Sequence, residues 1–152
     1  MWHRPRAVVA LSLAALAPLL ASASAPAADG GTLTVSVTGL RSARGQVLAC
    51  ATTVPRGFPD CTRDASAHHL IVPATGTVTL EFGRLPPGRY AVSLLHDENG
   101  NGRADMMLMI PREGFGFSRD AAVSFGPPKF DKAAFELGTG EVRQTIRMRY
   151  MF

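Results

Sequence analysis

Beyond residue 31, apolar and polar side chains alternate with a period of two over most of the chain. Leu33, Val35 and Val37 fall on one side of a run whose other side is Thr32, Thr34, Ser36 and Thr38. That pattern predicts a half-buried β-strand, and its β-branched residues suit a pleated surface. Turn signals at Gly39 and over 42–45 lead to a second strand, Gln46–Thr53, which carries Cys50, and then to a loop over Pro55–Arg63. Short strands are predicted at Leu70–Val72 and Thr77–Phe82. Leu85–Tyr90 (LPPGRY) reads as a tight turn opening a strand over Arg89–His96. Further strands are expected at Met106–Ile110, Val123–Phe125 and Glu141–Met151; in the last, Val142, Ile146 and Met148 oppose Arg143, Arg147 and Arg149.

One segment departs from this period. Phe130, Ala133, Ala134 and Leu137 recur at helical spacing, preceded by Pro127 and Pro128 and followed by Gly138. They predict a helix of about two turns with Asp131 near its positive end. Seven or eight short strands with turn signals between them, and no internal repeat, argue for a mainly β fold. The expectation is an antiparallel, immunoglobulin-like β-sandwich with one short helix near the C-terminus, in a single domain over residues 29–152.

The N-terminus changes the picture of where this domain works. Arg4 and Arg6 precede an apolar run from Ala7 to Leu20, followed by small residues. Residues 1–28 therefore read as a secretory signal peptide with cleavage after Ala23 or Ala27, which places the mature chain in the periplasm or outside the cell. The run is short for a bilayer span and lacks a basic stop-transfer flank, which favours cleavage over anchoring. The formal net charge of +4 falls to +2 without Arg4 and Arg6. The remaining arginines are scattered, so a contiguous nucleic-acid-binding face is not expected. Cys50 and Cys61 make an even count in an oxidising compartment and lack CxxC spacing. The sequence thus favours a disulfide closing a small loop over a metal or redox thiol pair.

Chemistry concentrates between His96 and Asp105 (HDENGNGRAD). Asp97, Asn99, Asn101 and Asp105 occupy positions 1, 3, 5 and 9 of a calcium-loop template, with Gly102 at the turn position 6 and the Arg103 carbonyl at position 7. The defect is position 12, where the template places a bidentate Glu and this chain has Leu108. A calcium ion bound here would be held weakly. The competing reading needs no ion: the two Asn-Gly pairs supply left-handed conformations in a hairpin, and the Asp side chains bond main-chain N–H groups. The sequence favours this second reading.

Other candidates are weaker. His96 continues the inner stripe of its strand, where a histidine bonded to the following loop is the plainer expectation than a metal ligand. His68 and His69 are adjacent and would face opposite sides of a strand. A copper site joining His96 to Met106, Met107 or Met109 is conceivable, because thioethers suit Cu(I), but Met107 and Met109 read as strand core. Phe115, Phe117, Phe125, Phe130 and Phe135 lie in a Gly- and Pro-rich stretch. They would either line a ligand face together with His96 or close one end of the sandwich, and the sequence leans to closure. Ser118 lacks a Gly-x-Ser-x-Gly setting, and the separations of the Asp97, Glu98, Asp105 and Glu113 carboxylates cannot be read from spacing.

Taken together, the segments Leu33–Leu40 (LTVSVTGL), Gly45–Val47 (GQV), Gly57–Pro59 (GFP), Leu85–Val92 (LPPGRYAV), His96–Gly102 (HDENGNG), Gly114–Ser118 (GFGFS), Phe125–Pro128 (FGPP) and Phe130–Phe135 (FDKAAF) resemble the bacterial family DUF2141. The resemblance implies an exported β-sandwich of the transthyretin-like or carboxypeptidase-regulatory kind. It brings no assigned activity and hence no catalytic residue. The resulting expectation is a monomeric binding or structural module of the cell envelope, with an envelope protein, a peptide or a glycan as partner. A weak calcium-binding sandwich and a small periplasmic hydrolase using His96 with a nearby carboxylate are the alternatives.

Overall fold

The computed structural model describes residues 29–107 and 110–152. The signal-peptide reading of residues 1–28 and the readings of Leu108 and Met109 lie outside the described residues. Among the described residues the strands are β1 (Gly31–Thr38), β2 (Gln46–Thr52), β3 (His68–Pro73), β4 (Val78–Leu85), β5 (Gly88–Asp97), β6 (Met106–Met107), β7 (Ile110–Pro111), β8 (Gly114–Phe117), β9 (Phe135–Leu137) and β10 (Glu141–Arg147), with one α-helix, α1 (Phe130–Ala133), and a 3-10 turn at Ser118–Asp120. One sheet has the order β10-β1-β4. The other has the order β3-β2-β5-β8, with β9 paired to the start of β5.

The alternation legible in the chain becomes the interface between these layers. Leu33, Val35, Val37, Val78, Leu80 and Ile146 from the first sheet pack against Val47, Ala49, Ala51, Tyr90, Val92 and Leu94 from the second. Each fully buried Val, Leu or Ile contributes about 1.5–3 kcal/mol relative to exposure. The fold is mainly β, with two facing sheets and a short helix near the C-terminus. Its ladders are antiparallel except for β1 with β10, which runs parallel from the Thr32–Glu141 pair to the Thr38–Arg147 pair.

A second apolar cluster lies on the opposite face of the second sheet. Phe115 and Phe117 are paired across the ladder with Leu95 and Ser93, so they share the face of Ala91 and point away from the inter-sheet core. Ala121, Phe130, Ala133 and Ala134 cover them, and Phe58 packs edge-on against both Phe117 and Phe130. Phe58 belongs to the loop between β2 and β3. That loop is fastened to the sheet by the Cys50–Cys61 disulfide, with Cα atoms 6.5 Å apart, and by the Ser93 hydroxyl donating to the Pro59 carbonyl at 2.6 Å. Thr52 adds a hydroxyl bond to the Asp64 carboxylate.

Three expected elements take other forms. The helix is one turn rather than two: Ala134 is already extended (φ −72, ψ 141), and Phe135–Leu137 pairs as β9 with Gly88–Tyr90. Edge pairing and burial of Leu137 outweigh the helical spacing of four apolar residues. Met106–Ile110 is not one strand. Met106–Met107 and Ile110–Pro111 pair with each other as an outlying hairpin, leaving Met107 exposed rather than in the core. Val123–Phe125 forms no strand, and Phe125 is fully exposed.

Ser118 joins three parts of the outer layer. Its buried hydroxyl accepts the Val92 N–H at 2.8 Å and donates to the Ala133 carbonyl at 2.6 Å. Ser118→Ala would leave both main-chain groups unpaired out of water. It is expected to lower the stability by about 1–3 kcal/mol, measured as a lower urea midpoint at unchanged slope. A midpoint equal to wild type would show the hydroxyl to be dispensable.

Candidate functional site

Strand β5 ends by turning His96 toward the inter-sheet core and Asp97 toward the loop that follows; both are wholly buried. Asp97 organises that loop. Its Oδ1 accepts the Asn101 N–H at 3.1 Å, and its Oδ2 accepts the Gly102 N–H and the Gln46 side-chain amide, both at 2.8 Å. Burial pushes this carboxyl up. The bonds from Gln46, Gly102, Asn101 and Gly100 outweigh burial and hold it below the usual range.

The two Asn-Gly pairs behave as turn chemistry requires. Gly100 and Gly102 have φ of 71° and 77°, which side chains with a Cβ rarely adopt. Asn99 Oδ1 accepts the Asn101 N–H at 3.1 Å, and Asn101 Oδ1 accepts the Arg103 N–H at 3.0 Å. Their amide N–H groups converge on Asp105: Asn99 donates to Oδ2 at 2.6 Å and Asn101 to Oδ1 at 2.9 Å. Asp97, Asn99, Asn101, Arg103 and Asp105 are therefore brought together in one self-bonded loop, with Arg103 contributing main chain. Among the described residues, no group of three or more His, Cys, Asp or Glu side chains is gathered in metal-binding geometry.

Two further carboxylates, one within the loop and one beyond it, stand in opposite circumstances. Glu98 faces Arg41, which bonds it through Nε at 3.0 Å and again through Nη2; Ser42 donates to it at 2.6 Å. The guanidinium holds Glu98 down at about 2. Glu113, just before β8, is 4% exposed. Its Oε2 accepts the Asp105 N–H at 3.1 Å, while its Oε1 is buried without a hydrogen-bond partner. Burial, with the neighbouring Asp105 and Asp97 charges, pushes Glu113 up.

His96 is held at both ring nitrogens. Nε2 lies 2.9 Å from the Arg44 carbonyl, which can only accept, so Nε2 carries the proton. In the neutral ring Nδ1 then accepts from the Tyr150 hydroxyl at 2.7 Å. Tyr150 in turn accepts the Arg41 N–H at 3.2 Å and lies under the Arg41 guanidinium, 4.4 Å from ring centre to Cζ. A glycine at 114 makes room for it, since a Cβ there would stand 2.3 Å from the Tyr150 ring. Burial raises the Tyr150 phenol.

The other sequence candidates do not join this site. Phe115 and Phe117 are 8% and 5% exposed within the outer cluster, so they present no open ligand face with His96. Phe125 stands apart on the rim of an open hollow with Pro127 and Pro128. His68 pairs with Ala51 and His69 with Cys50, placing the two on opposite faces of β3. Ser118 is a buried hydrogen-bonding residue. The components that spacing did not reveal are Arg41, Tyr150 and the relation of Glu113 to the loop. Glu113 stands eight residues beyond Asp105, past an intervening hairpin, and the chain gives no periodic signal for that return.

These features define a mainly β module of two facing sheets whose concentrated polar chemistry is an acidic, hydrogen-bonded loop at the end of strand β5. Residues 35–145 match the family of uncharacterized proteins conserved in bacteria, DUF2141, and the chain belongs to that family. No curated protein and no solved structure matches the chain.

Glu98 provides a test of the charge arrangement. Its carboxyl sits at about 2 in the fold against an ordinary 4.5. A carboxylate lowered by folding stabilises the native state above its ordinary pKa, and that stability is lost as pH falls toward the folded value. The shift corresponds to at most about 3 kcal/mol, reduced by solvent around Arg41, whose side chain is 37% exposed. Glu98→Gln is expected to be about 1–2 kcal/mol less stable at neutral pH and to lose less stability than wild type between about pH 5 and pH 2. Parallel acid-unfolding curves for the two proteins would contradict the pairing.

Proposed function

We propose that this protein is an exported, non-catalytic β-sandwich serving as a binding or structural module of the bacterial cell envelope. The observation that carries the non-catalytic reading is the commitment of His96. Its ring is wholly buried and bonded at both nitrogens, so it acts as a strut between β5, the Arg44 loop and Tyr150. A general base needs a free nitrogen within reach of substrate, which this placement does not offer. Export is supported by the basic, apolar and small-residue order of residues 1–28, and the Cys50–Cys61 pair suits an oxidising compartment. The module would work as a monomer, taking an envelope protein, a peptide or a glycan as its partner.

A second reading, compatible with the first, is a sandwich stabilised by calcium at the 97–105 loop. The unpaired Glu113 oxygen beside that loop favours it.

Fractionation of the native producer tests the main reading. The expected product lies in the envelope fraction, begins after Ala23 or Ala27, and reacts with thiol reagents only after reduction. A cytoplasmic protein that keeps Met1 and has free thiols would overturn export. A screen of ester, phosphoester, glycoside and peptide substrates is expected to give no turnover. Turnover abolished in a stably folded His96→Ala variant would establish a hydrolase instead.

A further inference from the structure

We propose that the outer layer over β5 carries a peptide-binding groove, two adjoining hollows divided by Pro127 and Pro128, and that it takes an extended acidic peptide with apolar or aromatic side chains. The proposal rests on the reading of the protein as a binding module of the envelope, and it names the partner's chemistry and its place on the fold.

One hollow, of about 600 Å³, is bounded by Arg119, Phe125, Lys132 and the two prolines. The other, of about 440 Å³, lies between the same prolines and Pro55, Phe58, Pro59 and Lys129. Both volumes fall within the ordinary range of ligand pockets. Phe125 is fully exposed at the rim of the first, whereas Phe115, Phe117 and Phe130 are buried in the layer beneath. Pro127 and Pro128 fix the chain beside Phe125, so a partner that covers its ring orders little backbone in doing so. Rigid walls of proline and phenylalanine suit extended peptides, which are themselves ordered at low entropic cost in such grooves.

Charge decides the occupant. The carboxylates that line the hollows are already matched: Asp120 accepts from Arg149 at 2.9 Å, and Asp131 accepts from Arg89 at 2.7 Å. The cations are not. Among the described residues, Arg119, Lys129 and Lys132 form no ion pair. The Arg119 guanidinium reaches only the Ala134 carbonyl, at 3.4 Å. Arg119 and Asp120 both hold left-handed backbone, with φ of 57° and 49°, a costly conformation for residues with a Cβ. It leaves Asp120 on Arg149 and Arg119 at the wall of the hollow. Three unmatched positive charges around proline and phenylalanine surfaces favour a ligand that is negative and apolar at once. A neutral peptide would not engage the cations, and a polyanion without apolar groups would not use Phe125.

An array of capped peptides, in which glutamate, lysine or serine alternates with proline, leucine and phenylalanine, tests this against the purified, disulfide-intact protein. Peptides that bind are then titrated by fluorescence anisotropy. Binding is expected in the glutamate series, with affinity falling as sodium chloride is raised. Phe125→Ala is expected to weaken the tightest peptide by about tenfold or more. Lys129→Glu combined with Lys132→Glu is expected to weaken it by about three- to tenfold. Arg143→Glu, on β10 of the other sheet, is expected to leave it unchanged. Phe125, Lys129 and Lys132 are exposed, so urea midpoints near wild type are expected, and if either variant fails to fold the other carries the test. Absence of binding across the glutamate series, equal binding of the lysine series, or affinities unchanged in the folded variants would overturn the groove. Binding of polygalacturonate or of phosphatidylglycerol vesicles, with none of the peptides bound, would overturn the peptide assignment in favour of a glycan or a membrane. Export and absence of turnover are read separately by fractionation and by the substrate screen, so a negative array overturns the groove and leaves that reading standing.

Discussion

Strand β5 is buried on both faces, and much of the architecture answers that one constraint. Its inner residues Tyr90, Val92 and Leu94 belong to the inter-sheet core, whereas Ala91 lies under the outer aromatic cluster. An antiparallel sheet normally leaves one face to water. Here the β2–β3 loop, the Ser118 turn and α1 are folded down over the second face. The disulfide fastens the loop at one end and Ser118 bonds the turn to α1 and β5. The aromatic residues of that layer are therefore structural, because they are what keeps the outer side of β5 dry.

The same burial explains why the carboxylates at the end of β5 fare so differently. A charge removed from water must recover its lost solvation from fixed donors or an opposite charge. Asp97 recovers it from main-chain N–H groups and Gln46, and Glu98 from Arg41. Glu113 accepts the Asp105 N–H at Oε2, and burial pushes it the other way. Of three acids within one small region, two are thus held below their ordinary values and one is pushed above, according to the donors each one meets.

Much of this fold was legible in the sequence. Period-two alternation locates β1, β2, β4, β5 and β10, since each buries one consistent stripe against the facing sheet. The Cys50–Cys61 bond follows from even count and short spacing, and the turn character of 97–105 from its Asn-Gly pairs. The illegible parts are those decided by distant partners. Phe135–Leu137 is helical by spacing and extended by pairing with β5. Met107 reads as core and is exposed, because its only described ladder is with Ile110. Phe115 and Phe117 give no sign of which face they occupy until β8 docks on β5. Arg41 and Tyr150 lie more than fifty residues from the groups they bond in that corner, a separation no local pattern encodes.

The parallel ladder between β1 and β10 carries a kinetic meaning. It joins Thr32 to Glu141, near opposite ends of the described chain, and the main chain then crosses to the second sheet where Phe115 and Arg149 exchange both hydrogen bonds. Pairings of such long sequence separation form late, since closing a large loop costs entropy before any contact rewards it. A polypeptide delivered from its amino end leaves β1 with one open edge until the segment around residue 145 becomes available. The first sheet is therefore complete only once β10 has joined β1.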